Sequence, residues 1–278
     1  MSNSNEGLQL LEYNLAPSVR AFTTTRKGGV STDAYASFNI THYCGDNALN
    51  VLENRKILCN HLGINNDALI LPHQTHSTNV INIDHDFLNL TADEKVSALY
   101  NIDALITNVK GLCIGVSTAD CVPVLLYDPQ EHCVAAIHAG WRGVVGDIVG
   151  QTIKRMSRQY SNDAGQLCAI IGPSNSQQSF EVGEEVYDAF VQAGFDMQNI
   201  AMRASQLKRP LASGDVDKWH IDLWAAITLQ LLDAGVQLEN INISNICTYQ
   251  EHDLYFSARR NGINSGRLFT GIMLMQDV

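Results

Sequence analysis

Four short apolar runs follow one another with no helix-length segment between them: DALITN (103–108), GLCIGVS (111–117), VPVLLYD (122–128) and CVAAIH (133–138). Each has strand length and composition and is bounded by turn-forming residues. A doubly wound parallel sheet needs a helix between successive strands, so this succession argues against one. Helical spacing occurs elsewhere. NALNVLENRKILCNHLG stops at Gly63, a residue suited to a helix C-cap. The stretch 144–159 carries Val144, Val145, Ile148, Val149, Thr152, Ile153 and Met156 on one face. Further helices are expected near 182–193 and over IDLWAAITLQLLDAG, and further strands over 19–25, ALILP, TNVINI, LCAIIGP, INISNICTY and LFTGIML. Residues 203–219 read as a long surface loop. The pattern predicts an α/β (α+β) fold, a layered sandwich of mixed β-sheets flanked by helices. A partly flexible segment over 1–18 precedes a single catalytic domain over 19–278.

The chain has 278 residues, 45% of them hydrophobic, enough for one sizeable core. A net charge of −11 with no dense Lys/Arg block excludes a nucleic-acid backbone as partner. No apolar run is long enough to span a bilayer, which predicts no membrane partner. The start MSNSNEGLQLLEYNL has neither the basic nor the apolar region of a signal peptide. Seven cysteines are scattered without a CxxC pair, as expected of reduced thiols in a cytoplasmic protein.

Three stretches each place a metal-capable side chain at the end of an apolar run. They are HQTHS with His73 and His76, STADCVPVLLYD with Asp120 and Cys121, and AAIHAGWRG with His138. A thiolate and two imidazoles make a zinc-type donor set, and three protein ligands leave a fourth tetrahedral position open for catalysis. Such a metal lowers the pKa of a bound water or polarises a substrate group. The same residues support thiol chemistry instead, with Cys121 as nucleophile, His138 as base and Asp120 as orienter: a cysteine hydrolase. A third alternative is that these side chains never meet, and residue type alone does not choose among the three.

The segments TTRKGGVS, FNITHYCGDN, ENR, HQTHS, STADCVPVLLYD, AAIHAGWRG, GPSNSQQSFEVGEEV, CTY and FSARRNGINSGR occur in this order over residues 19–274. Together they resemble the laccase-like family once called multicopper polyphenol oxidases and now regarded as purine nucleoside phosphorylases. The resemblance implies Zn2+ held by His76, Cys121 and His138, with His73 as a neighbour. It also implies phosphorolysis of adenosine, inosine, guanosine and methylthioadenosine, with adenosine deaminase activity alongside, so that purine nucleosides and phosphate are the partners. The oligomeric state stays open. The segment SQQSFEVG lacks the cysteine that many members carry before EVG, which removes a further ligand there without touching the set of three. Copper is the alternative metal. A copper-dependent polyphenol oxidase, however, needs several coppers held largely by His-x-His pairs, and none of the nine histidines is so spaced.

Phosphorolysis needs cationic and N–H donors for phosphate. Arg26, directly before Lys27 and Gly28, resembles the family's substrate-binding arginine. Arg142 sits where a helix start would add its dipole, and Arg259, paired with Arg260, is a further candidate. Asn39 is expected either to touch the sugar or to close a turn, and Trp141 either to stack on a purine or to pack. Deamination needs a carboxyl group to carry protons. The HxE and PCxxC signature of zinc deaminases is absent, so Asp120 and Glu181 are the candidates. A turn must follow Asp120 if it and Cys121 are to reach one site, because neighbours on a strand face opposite ways. A capping aspartate and a first-turn helix glutamate are the structural alternatives for these two carboxylates.

Overall fold

Strands Val122–Asp128 and Cys133–Ala139 are buried at every position, and their alternating side chains feed two different cores. The computed structural model of the chain describes residues 7–207 and 217–276. Val124, Leu126, Ala135 and Ile137 face one way, onto the buried sides of helices Ile148–Tyr160, Glu184–Gln192 and Leu223–Asp233. Leu125, Tyr127, Val134 and Ala136 face the other way, onto Val19, Ala21, Ile114, Val116, Ile272 and Leu274 of a second sheet. That second sheet turns Phe22, Cys113, Phe269 and Met273 outward onto helix Ala48–Leu62. The layers run helix, sheet, sheet, helix, the mixed-sheet sandwich expected of consecutive strands without intervening helices.

One sheet has six strands, in the order Ile241–Ile243, Cys168–Ile171, Val122–Asp128, Cys133–Ala139, Ala104–Thr107 and Val80–Asn82. Its two outermost pairings are parallel and the inner ones antiparallel. The five-stranded sheet runs Leu10–Tyr13, Val19–Thr24, Leu268–Leu274, Cys113–Thr118 and Leu69–Ile70, with only the last pairing parallel. A small antiparallel sheet joins Glu181–Val182, Trp219–Ile221 and Ala201–Arg203.

Several elements depart from the sequence reading. The helix expected over 144–159 is two helices, Trp141–Val145 and Ile148–Tyr160. Asp147 between them is left-handed (φ 56°), and its carboxylate caps the second helix by accepting from Gly150 N–H at 3.1 Å. Leu10–Tyr13 is an edge strand inside the segment expected to be partly flexible, while residues 1–6 lie outside the described residues. Only Ile241–Ile243 of INISNICTY is strand. The loop expected over 203–219 falls largely on 208–216, outside the described residues; its ends are strand residues Arg203 and Trp219.

Candidate metal centre

Strand register assembles the site. Ala104 pairs with Ile137, which places Asp103 opposite His138, and Val122 pairs with Ala139, which places Cys121 opposite Gly140. Cys121 follows Asp120, whose φ of 87° makes the left-handed turn that the sequence reading required between the two. His76 lies on the loop between Leu69–Ile70 and Val80–Asn82 and is itself left-handed at φ 63°. Gln74 anchors that loop to strand Cys113–Thr118: its amide donates to Ser117 O at 2.8 Å and accepts from Ser117 N–H at 2.7 Å.

The side chains of His76, Cys121 and His138 converge, one ligand atom from each lying within 4.8 Å of the others. Among the described residues, this is the one group of three or more metal-capable side chains. Cys121 Sγ is 3.7 Å from His76 Nε2, and the two imidazoles meet edge to face with centroids 4.8 Å apart. His76 is exposed, Cys121 half-buried and His138 buried, so the cluster opens to solvent on the His76 side. Gly140 allows the close approach: a Cβ there would stand 2.7 Å from His76 Cδ2 and 3.2 Å from Cys121 Sγ. Two imidazoles and a thiol at this separation are a donor set that fits a tetrahedral zinc with one position open.

Asp103, which the sequence reading passed over, lies behind the ligands. It is fully buried and its carboxylate accepts five hydrogen bonds. Oδ1 takes the N–H of His76 at 3.1 Å and is 2.7 Å from His138 Nδ1. Oδ2 takes the N–H groups of Thr75 and Ser77 and the Ser77 hydroxyl. Successive N–H groups of the turn cradle the anion. Burial opposes ionisation of Asp103, but the bond to His138 and its charge, with Ser77, outweigh it and hold the carboxyl down to about 2. With Nδ1 bound to Asp103, His138 presents Nε2 to the site.

Charge is distributed accordingly. Burial alone would push the Cys121 thiol up, yet the adjoining His138 and His76 bring it down to about 6. Burial alone would lower His138, yet Cys121 and Asp103 raise it to about 9. These shifts favour a thiolate beside an imidazolium at neutral pH, and a cation held by the three donors would have to displace the imidazolium proton.

Of the other candidates, Asp120 directly precedes Cys121, and each has partners of its own. Both Asp120 oxygens are engaged: Oδ1 accepts from the Thr248 hydroxyl at 2.8 Å and Oδ2 from Arg259 N–H at 2.7 Å. Arg259 Nη2 donates to the Glu181 carbonyl at 2.8 Å, and its guanidinium lies over Phe180. Asp120, Arg259 and Glu181 are thus linked in one chain of contacts. The Glu181 carboxylate is ion-paired with Lys218 at 2.7 Å, and that bond lowers its pKa. Arg142 is exposed, with its guanidinium 4.2 Å above the Trp141 ring, and Trp141 packs partly into the helix-side core. Arg26 donates to the carbonyls of Ala36 and His252 and lies over Phe256. Asn39 is fully buried; its amide donates to Asp46 and accepts from the N–H groups of Thr41 and Arg267. Arg260 donates to Tyr249 O and stacks on the Tyr249 ring. His73 stacks on Tyr43 with centroids 4.3 Å apart and is not one of the three converging residues.

Asp103, Gly140, Gln74 and Thr248 were not singled out from sequence. The signal for Asp103 was there: an ionisable residue directly before the wholly buried strand Ala104–Thr107 must find partners.

The chain is similar to known proteins along nearly its whole length. A purine nucleoside phosphorylase of Bacteroides thetaiotaomicron is 46% identical over 253 residues, covering 91% of this chain and 90% of that one. Adenosine deaminase RL5, from an unknown prokaryotic organism, is also 46% identical, covering 91% of this chain and 93% of its own. The crystal structure of YlmD from Geobacillus stearothermophilus superposes with a TM-score of 0.83 at 26% identity, covering 99% of this chain and 98% of that one. The model of the family described as multi-copper polyphenol oxidoreductase laccase matches residues 20–275, and the chain belongs to that family.

Proposed function

We propose that the chain is a zinc-dependent purine nucleoside phosphorylase with accompanying adenosine deaminase activity, both centred on His76, Cys121 and His138. One observation carries the reading: these three donors converge within 4.8 Å in a chain 46% identical to a protein named purine nucleoside phosphorylase. A mixed nitrogen and sulfur set suits zinc, and a single cluster among the described residues favours one metal over several coppers. Bound there, zinc supplies Lewis-acid polarisation. The proposed setting is the cytoplasm, supported by seven free cysteines.

In phosphorolysis a phosphate oxygen attacks C1′ of the ribose and the C1′–N9 bond breaks. The electron pair leaves with the purine, which takes up a proton. The products are free base and ribose-1-phosphate, or methylthioribose-1-phosphate from methylthioadenosine. Adenosine, inosine, guanosine and methylthioadenosine are the proposed substrates. Arg259 and Arg142 are the proposed phosphate donors, with Arg26 next; Trp141, with Arg142 over its ring and its body against the core, is read as packing. In deamination water adds at C6 and ammonia leaves. Glu181 is the proposed proton carrier, starting as a carboxylate base whose ion pair with Lys218 must loosen as it takes up the proton. We assign Asp120 a positioning part instead of the proton transfer expected from its place beside Cys121, because both its oxygens already hold Thr248 and Arg259. We likewise read Asn39 as closing its turn rather than touching the sugar, since its amide is buried and bonded.

A cysteine hydrolase is the second reading, favoured by the lowered Cys121 thiol beside His138. Chromatographic product analysis on zinc-loaded protein with adenosine, with and without phosphate, separates the two. The expected result is adenine only when phosphate is present and inosine in both conditions, each lost in Cys121→Ala. Adenosine left intact by the zinc-loaded protein would rule the proposal out for this substrate.

A further inference from the structure

We propose that Asp103 is the positioning residue of the metal centre, a single buried carboxylate that presets both histidine ligands for one cation. The inference rests on reading His76, Cys121 and His138 as a metal site, and it adds what holds that site in shape.

The two histidines come from unrelated parts of the fold. His138 lies one residue before the end of a central strand, whereas His76 lies on an exposed loop with a left-handed backbone. The loop is tied at its ends, through His73 and Gln74 on one side and Asn79 on the other, but these ties do not touch His138 and do not by themselves place the His76 ring 4.8 Å from it. Asp103 supplies that link. Its Oδ1 is shared between the main-chain N–H of His76 and the ring Nδ1 of His138, so a single oxygen sets the separation of the two residues. Its Oδ2 holds Thr75 and Ser77 on either side, which fixes the direction in which the His76 ring leaves the loop. The strand register contributes as well: His138 N–H donates to Asp103 O at 2.7 Å, so main chain and side chain lock the same pair. A carboxylate bound to the far nitrogen of a metal-ligating histidine fixes its tautomer and raises its basicity. Here the same carboxylate also anchors the second histidine.

The test is zinc affinity measured by competition with a chromophoric chelator, on wild type and Asp103→Asn, with metal-free circular dichroism and melting recorded for both. Asp103→Asn is expected to fold and to bind zinc about 10- to 100-fold more weakly. Its Co2+-loaded form is expected to show a shifted and weakened visible absorption, as the three ligands lose their fixed geometry. Zinc affinity within about twofold of wild type, with only the melting temperature lowered, would mean a purely structural role and overturn the inference. Should Asp103→Asn not fold, Ser77→Ala decides. It removes one donor to Oδ2 from a solvent-facing loop, and a several-fold loss of zinc affinity is expected, an unchanged affinity refuting the idea. A wild-type protein that binds no zinc at all would overturn the metal-centre reading itself, an outcome distinct from equal affinity in wild type and variant.

Discussion

Gly140→Ala isolates the geometry of the centre from the stability of the fold. The backbone at Gly140 is extended (φ −68°, ψ 163°), a region open to every L-residue, so alanine introduces no dihedral strain. Gly140 is also the N-cap of helix Trp141–Val145, where alanine is a poorer choice by about 1 kcal/mol at most. The added methyl has a different effect. It would stand 2.7 Å from His76 Cδ2 and 3.2 Å from Cys121 Sγ. Ordinary carbon contacts lie at about 3.5–4.0 Å, so the His76 ring must withdraw by roughly 1 Å. His76 is exposed and on a loop, whereas Gly140 continues a buried strand, so the imidazole is the group that yields. Metal-to-ligand distances tolerate only about 0.2 Å of error. A displacement several times larger removes one of the three ligands. Zinc affinity is expected to fall by about 100-fold or more, equivalent to about 2.8 kcal/mol. Chelator competition measures it, and a metal-free thermal melt is expected to show little change. Zinc affinity within about twofold of wild type would refute the placement of His76 in the set.

Three other outcomes are expected. Metal-free protein treated with iodoacetamide should be alkylated at Cys121 at a rate that is flat above about pH 6 and falls as the pH drops below it, because protonation removes the thiolate. A rate still rising toward pH 9, as for an ordinary thiol, would contradict the thiolate–imidazolium pair. Asp120→Asn should raise the KM for phosphate severalfold while leaving zinc affinity unchanged, since it weakens the hold on Arg259 N–H and not on a ligand. A fall in kcat alone would return Asp120 to proton transfer. Arg259→Ala should raise the phosphate KM further, by about 10-fold or more, given the strength of charge-assisted contacts to phosphate; steady-state kinetics at varied phosphate checks both.

Much of the layered architecture was legible because it rests on periodicity. The strand Leu268–Leu274 coincides with the apolar run LFTGIML, and helix Ala48–Leu62 stops at left-handed Gly63 as the sequence implied. The break at Gly146 and Asp147 escaped notice because apolar spacing continues across it; only the capping aspartate marks the second helix start. The ligands His76, Cys121 and His138 could be named because each closes or borders a conspicuous apolar run. For Asp103 the local pattern signals only that a carboxylate beside a buried run needs partners; which partners is not legible, since they lie 26 to 35 residues away and meet it through strand register and a turn. Asp120 could be named from its place beside Cys121, but not its partners, since its bonds to Thr248 and Arg259 span 128 and 139 residues. Local pattern reveals which face a residue occupies, whereas these contacts depend on how distant strands are paired.

Anomalous diffraction from crystals of the zinc-loaded protein, collected on both sides of the zinc edge and of the copper edge, tests the central claim directly. The account predicts one zinc peak at about 2.0–2.3 Å from His76 Nε2, Cys121 Sγ and His138 Nε2. Copper peaks, several metal peaks, or a zinc ion bound away from these three atoms would contradict it.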